Sequence, residues 1–167
     1  MRRVTRRAVL AGAGTAAVGL AGCLGNGGGG SAGDQQRLPT VDAEGSPGGD
    51  IAVRIPGQAA LLDFFATWCA PCKPQMASLG AVGDANPDLH MLSITQESDR
   101  EAIRGFWQDY DGRWPVAIDA ELRATETYGV QNIPTLIVLD PEGAEIWRHV
   151  GLASREAIEA AVDEARA

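Results

Sequence analysis

The 167 residues contain one lysine (Lys73), two histidines and three cysteines; aromatic residues make up 5%, and no acidic residue precedes Asp34. Each scarcity removes a class of protein. Structural zinc takes four ligands, and the chain has no second cysteine pair and only His90 and His149, so no metal is expected. With so few rings, a core must be built mainly from Ala, Val, Ile and Leu, within a hydrophobic content of 45%. Four of the 14 basic residues (Arg2, Arg3, Arg6, Arg7) lie before residue 8, so ten basic residues face 22 acidic ones beyond residue 22. A body that acidic repels phosphate backbones, which sets nucleic acid aside as a partner. The length suits one domain with extensions.

The basic start, a short run of Ala, Gly, Val and Leu, and small residues up to Cys23 form an export signal over residues 1–22. Thr5-Arg6-Arg7-Ala8-Val9-Leu10 resembles a twin-arginine signal, which exports folded proteins. Ala8–Ala21 is short of the ~20 apolar residues of a membrane span. Leu20-Ala21-Gly22-Cys23 resembles a lipobox, which implies cleavage before Cys23 and a lipid on its sulfur; a plain cleaved signal or an uncleaved anchor is the alternative. Residues 23–37 then read as a glycine-rich tether, since Gly25–Gly33 cannot pack. The expected location is the outer face of the cytoplasmic membrane, held by a lipid anchor. Acidity with almost no lysine resembles proteins of salt-loving organisms, haloarchaea among them; arginine-rich codon usage is the other explanation.

Residues 38–167 alternate strand and helix patterns. Asp50–Ile55 reads as a half-exposed strand and Ala60–Ala66 as a central buried one. Pro71 to about Val82 reads as a helix and His90–Thr95 as a strand. A helix over Asp99–Tyr110 takes Ser98 as its N-cap. Val116–Ile118 is extended, and Ala120–Tyr128 is helical up to Gly129. Thr135–Leu139 and Glu145–His149 form a hairpin across Asp140–Gly143, and Ser154–Ala165 is an amphipathic helix. The expected fold is α/β, a mixed central sheet flanked by helices.

With Cys23 lipidated, only Cys69 and Cys72 remain, so no structural disulfide competes for them. Cys-x-x-Cys lies here between a buried strand and a helix start, where unpaired N–H groups and the positive dipole end stabilise a thiolate. Cys69 is therefore expected to be the exposed attacking sulfur and Cys72 the shielded resolving one. A purely structural bridge across so short a loop removes little chain entropy.

Leu62-Asp63-Phe64-Phe65-Ala66-Thr67-Trp68-Cys69-Ala70-Pro71-Cys72-Lys73 resembles the active-site segment of the thioredoxin superfamily. Ile133-Pro134-Thr135 resembles its cis-proline loop, followed by a Leu-Ile-Val-Leu strand, hairpin, Gly151 and a last helix. Met91–Val130, with an extra helix and the Trp114-Pro115-Val116 strand, resembles the insert of the membrane-tethered TlpA and ResA branch. The likeness covers about residues 38–166 and implies a thioredoxin fold. It implies a cis Pro134 that sets the Ile133 backbone opposite the sulfurs. Trp68 would cover one flank, and Ala70 and Pro71 would complete the client-binding edge. Asp63 would be a buried acid relaying a proton to and from Cys72. The alternatives are a trans Pro134, a Trp68 packed in the core, and an Asp63 that merely finds a hydrogen-bonding partner.

Three positions depart from the tethered branch. It commonly has Asn where Asp63 stands, Glu where Gln75 stands and Pro where Ala77 stands; Pro74 is expected instead to bend the helix early. Gln75 weakens a reading of dedicated cytochrome c maturation. The function implied is thiol–disulfide exchange with protein disulfides and dithiols, as a reductant fed by a membrane electron donor, with no cofactor beyond the cysteine pair. A thiol peroxidase would want Thr at Ala66, a copper carrier would want wider cysteine spacing, and a non-catalytic partner-binding module would have lost the pair. Ala70-Pro71 lacks the His of strong oxidants, which suggests an intermediate-to-low potential.

Overall fold

The computed structural model describes residues 36–167; the expected signal, Cys23 and nearly all of the tether lie outside the described residues. The organising strand is β3 (Ala60–Phe65), all six of whose residues are buried. It pairs in parallel with β4 (His90–Thr95) and antiparallel with β6 (Thr135–Leu139), both also fully buried. Apolar residues dominate β3 and β6 because protein covers both of their faces, while Asp63 on β3 and His90, Ser93 and Thr95 on β4 are buried polar residues. Two edges extend the sheet. On one side β5 (Val116–Ile118) runs parallel to β4, followed by β1 (Arg37–Thr40) and β2 (Gly49–Ala52); on the other lies β7 (Glu145–Val150), giving the order β2-β1-β5-β4-β3-β6-β7.

Strand alternation divides the core. Leu61 and Phe65 face α1 (Cys72–Ala85), α2 (Arg100–Asp109) and α4 (Arg155–Ala165), through Leu79, Phe106 and Ile158 among others. Ala60, Leu62 and Phe64 face the opposite way, toward Ala124 of α3 (Arg123–Thr127) and Val130. This is the helix-flanked mixed sheet that the resemblance implied, with α2 and β5 as the added helix and strand.

Several boundaries differ from expectation. Strand β1 starts at Arg37, one residue before the expected domain start, and Pro39 had disguised it. Strand β2 ends at Ala52, short of the expected Ile55. Asp99, not Ser98, caps α2: its carboxylate accepts from the Glu101 and Ala102 backbone N–H groups at 3.0 and 3.1 Å. Charge favours this choice, since a carboxylate meets the positive end of the helix. The helix expected from Ala120 begins only at Arg123, because Leu122 sits in the left-handed region at φ 59° and interrupts it. Asp119 supplies the cap instead, accepting from Ala124 N–H, Thr125 N–H and Thr125 Oγ1–H at 2.8–3.2 Å. Pro74 is the third residue of α1. In a first turn an N–H has no intrahelical partner, so proline there removes no helical bond and the expected early bend has no cause.

Candidate active site

The Phe64–Thr135 pairing sets Pro134 level with the last residues of β3. The proline loop and the turn leaving β3 therefore emerge at one end of the sheet. That turn is closed by Cys69 N–H donating to Ala66 O at 3.1 Å and Cys72 N–H to Cys69 O at 3.2 Å. Cys69 and Cys72 are joined as a disulfide. Helix α1 starts at Cys72 with Pro71 as its cap residue, so Cys69 stands one turn upstream of the helix rather than inside its start. Its expected exposure is also corrected: Cys69 is 4% exposed and Cys72 2%, because the bonded pair turns into the core cluster that includes Ala66 and Met76. Ala70 and Pro71 are exposed and form the outer edge of the turn. Trp68 is 72% exposed, so it is not a core ring. The Ile133–Pro134 bond is cis, with Ile133 half-buried and Pro134 buried.

Asp63 lies between Leu61 and Phe65 on β3 and so points to the same face of the sheet as the cysteines. Its Oδ2 accepts from Ser93 Oγ–H at 2.7 Å, and Ser93 Oγ in turn accepts from Trp114 Nε1–H at 2.9 Å. Trp107 Nε1–H then donates to Trp114 O at 3.1 Å. The other carboxyl oxygen, Oδ1, has no hydrogen-bond partner among the described residues. Burial pushes the Asp63 carboxyl up to about 7, against the opposing pull of the Ser93 hydrogen bond. Because the Ser93 hydroxyl occupies Oδ2 as a donor, a proton on this carboxyl belongs on Oδ1. The result is a buried group that can exchange a proton near neutral pH.

A second pairing braces α1, the helix that begins at Cys72. Gln75 is buried on α1; its Oε1 accepts from Ala153 N–H at 2.7 Å and its Nε2–H donates to Ala153 O at 3.2 Å. Two residues earlier Gly151, at φ 97°, donates its N–H to Pro134 O at 2.8 Å. The cysteine-bearing helix and the cis-proline loop are thus tied through one short segment. A cavity of about 520 Å³ opens beside this end of the sheet, bounded by Trp68 and Ile133. Glu97 lies on its wall, accepting from Thr67 N–H at 2.6 Å and Thr67 Oγ1–H at 2.7 Å.

The structure thus brings Cys69, Cys72, Trp68, Ala70, Pro71, Ile133 and Pro134 to one end of the sheet; Asp63 lies two residues inside the end of β3, on the face the cysteines share, and Cys23 lies outside the described residues. Sequence reasoning missed Ser93, Glu97 and the Gln75–Ala153 pair. Glu97 had a signal: it follows the carboxyl end of a parallel strand, where sites of α/β sheets gather. Among the described residues no cluster of three His, Cys, Asp or Glu could hold a metal.

A family model described as Redoxin matches residues 33–165. The thiol-disulfide oxidoreductase ResA of Bacillus cereus is 26% identical over 107 residues, which cover 63% of this chain and 62% of that protein. The chain therefore spans about three-fifths of the length of this curated relative. Among solved structures, MTB dsbF in its mixed oxidized and reduced forms superposes with a TM-score of 0.71 at 21% identity, over 80% of this chain and 96% of that one. The pneumococcal exposed lipoprotein thioredoxin Etrx1 from Streptococcus pneumoniae gives 0.64 at 23% identity, over 77% and 98%. Likeness at these identities shows a shared fold.

Proposed function

The chain belongs to the Redoxin family, and from that premise we propose that it is a thiol–disulfide oxidoreductase of the ResA type, exchanging disulfides with protein clients through Cys69 and Cys72 and working as a reductant. The observation that carries this reading is the Cys69–Cys72 disulfide in the turn between a buried strand and α1, at the same end of the sheet as the cis Pro134 loop. Starting from the dithiol, the Cys69 thiolate attacks one sulfur of a client disulfide. A Cys69–client bond forms, and the client's other sulfur leaves as a thiolate that takes up a proton. Cys72 then gives its proton to Asp63 Oδ1 through water, and its thiolate attacks Cys69 Sγ. That step closes the Cys69–Cys72 bond and releases the second client sulfur as a thiolate. Two electrons pass to the client, and a membrane donor restores the dithiol. Trp68, Ala70, Pro71 and the Ile133 backbone form the edge on which the client chain lies.

We extend the proposal to location. The Thr5–Leu10 signal, Cys23 as a lipidated N-terminus and a tether to residue 37 would hold the domain at the outer face of the cytoplasmic membrane. Its support is the sequence pattern, together with the naming of one structural neighbour as an exposed lipoprotein thioredoxin. Mass spectrometry of the exported N-terminus and membrane fractionation of Cys23→Ser test this part.

For the chemistry, the test is reduction of a protein disulfide by the reduced full chain, with a redox titration of the pair. Cys69→Ser should abolish turnover, and Cys72→Ser should accumulate a client mixed disulfide. A potential near roughly −120 mV, the value of a strong oxidant, overturns the reductant direction. Turnover that survives Cys69→Ser overturns the catalytic assignment.

A further inference from the structure

We propose that the groove beside the cysteine pair is a subsite for a basic side chain, arginine above lysine, flanking the client's disulfide. This rests on reading Cys69–Cys72 as the exchanging pair and names the substrate class that the pair would select. The groove has a volume of about 520 Å³ and an apolar floor that includes Phe65, Ile94 and Val130. Its rim carries neutral amides, Gln96, Gln131 and Asn132. Among the described residues the only charged side chain that lines it is Glu97.

Glu97 is held but not neutralised. Its carboxylate accepts from Thr67 N–H, from Thr67 Oγ1–H and, at 3.2 Å, from Thr95 Oγ1–H. These are neutral donors. They fix the orientation of the carboxylate and leave its charge in place. Among the described residues no arginine, lysine or histidine forms an ion pair with it. Glu97 grips the residue directly before Trp68, so the carboxylate and the indole are anchored to the same short turn. Trp68 lines the same groove and is 72% exposed, a large ring left in water.

A negative group and an aromatic face around an apolar-floored slot define the occupant. An arginine stem would cover the floor while its head stays polar. The guanidinium can pair with the carboxylate and stack on the indole at once, which a compact ammonium does less well. An acidic client residue would be repelled by Glu97. The specificity would thus come from attraction of one sign and repulsion of the other.

The test uses three peptides, identical save for Arg, Gln or Glu on both sides of one cysteine. Binding to the oxidised full chain is measured by calorimetry with that cysteine replaced by serine, which reads the groove without the chemistry. The Arg peptide should bind about five- to tenfold more tightly than the Gln peptide, and the Glu peptide more weakly still. Raising the salt should narrow the spread. Glu97→Gln keeps the bond from Thr67 N–H to its amide oxygen, lets its Nε2–H donate to Thr67 Oγ1 once that hydroxyl turns, and should erase the Arg preference; Trp68→Ala should reduce it. Glu142→Gln, an exposed acid in the hairpin at the far end of β6, should leave the preference intact and so separates Glu97 from the general acidity of the domain. Equal binding of the three peptides, or a preference that survives Glu97→Gln, overturns the subsite. Reduction of the disulfide forms of the same peptides then reports on the cysteine pair. Selective binding without reduction would leave the subsite standing and overturn the exchange reading.

Discussion

Replacing Asp63 with Asn removes one ionisable group and nearly nothing else. The Asn carbonyl can accept the Ser93 hydroxyl as Oδ2 does, and the amide nitrogen then stands where the unpartnered Oδ1 stood. Protonated Asp63 and its asparagine replacement therefore present similar groups: an accepting oxygen toward Ser93 and an unsatisfied donor beside it. Below the ordinary carboxyl value of 3.8 the two proteins should be about equally stable. Above it, an unfolded chain gives up the Asp63 proton while the folded one keeps it up to about 7. The unfolded state then binds fewer protons, so stability must fall as pH rises across that interval. Each pH unit costs about 1.4 kcal/mol, so the wild type should have lost about 4 kcal/mol relative to Asp63→Asn by pH 8, with no further loss beyond. Urea unfolding of the oxidised proteins between pH 3.5 and roughly 8.5, followed by circular dichroism, measures the difference. The variant should be the more stable of the two at pH 8 and should match the wild type at pH 3.5. Parallel stability curves would refute the reasoning, since they would mean that Asp63 ionises in the folded protein as freely as in the unfolded one.

Ser93→Ala removes the hydrogen bond that opposes burial, so the break in the stability curve should move above pH 7, and loss of the Trp114 acceptor should cost about 1–3 kcal/mol besides. An unmoved break would count against Ser93 as a tuning partner; a Trp114 fluorescence titration offers an independent reading. Gln75→Glu replaces the donor to Ala153 O with an acceptor, so denaturant unfolding should show a loss of about 2–3 kcal/mol near pH 7 that shrinks toward pH 4 as the carboxyl becomes protonated. A penalty that does not change with pH would contradict the buried clamp. Asp119→Ala leaves Ala124 N–H and Thr125 N–H without their partner and should cost about 2 kcal/mol by the same measurement.

The parts of this molecule that were legible in the sequence are those written in a few consecutive residues. Strand β3, apolar save for Asp63, and strand β6 are short hydrophobic runs whose burial follows from composition, although β3 ends at Phe65, one residue before the expected Ala66. The cysteine turn and the Ile133-Pro134-Thr135 loop are likewise local. Strand β1 failed the same test because it is four residues long with a proline in it, and its existence depends on β5 and β2 lying beside it. The helix at Arg123 was overextended because a left-handed Leu122 has no local signature. The partners around the cysteines were illegible for a stronger reason: Ser93 meets Asp63 across 30 residues and Ala153 meets Gln75 across 78. Those pairs depend on register and docking, which no window along the chain contains. Cys69 is buried against the expected exposure for a related reason: chain position shows the helix start but not the way the bonded pair folds into the core.

The two braces differ in one respect that bears on how the pair would work. The Gln75 clamp is neutral and carries no proton that pH could remove, so the tie between α1 and the proline loop holds across the range in which thiols ionise. Asp63 is the opposite case, a buried acid poised near neutrality and left with one bare oxygen. Domains of this size are stable by about 5–15 kcal/mol, so the pH 8 cost worked out above consumes a large share of the total. Asn at this position would avoid that cost and keep the Ser93 bond. The proton exchange proposed for Asp63 predicts that Asp63→Asn slows the step in which Cys72 loses its proton while it stabilises the fold. A variant that gained stability at pH 8 and lost no exchange rate would make Asp63 a structural burden only.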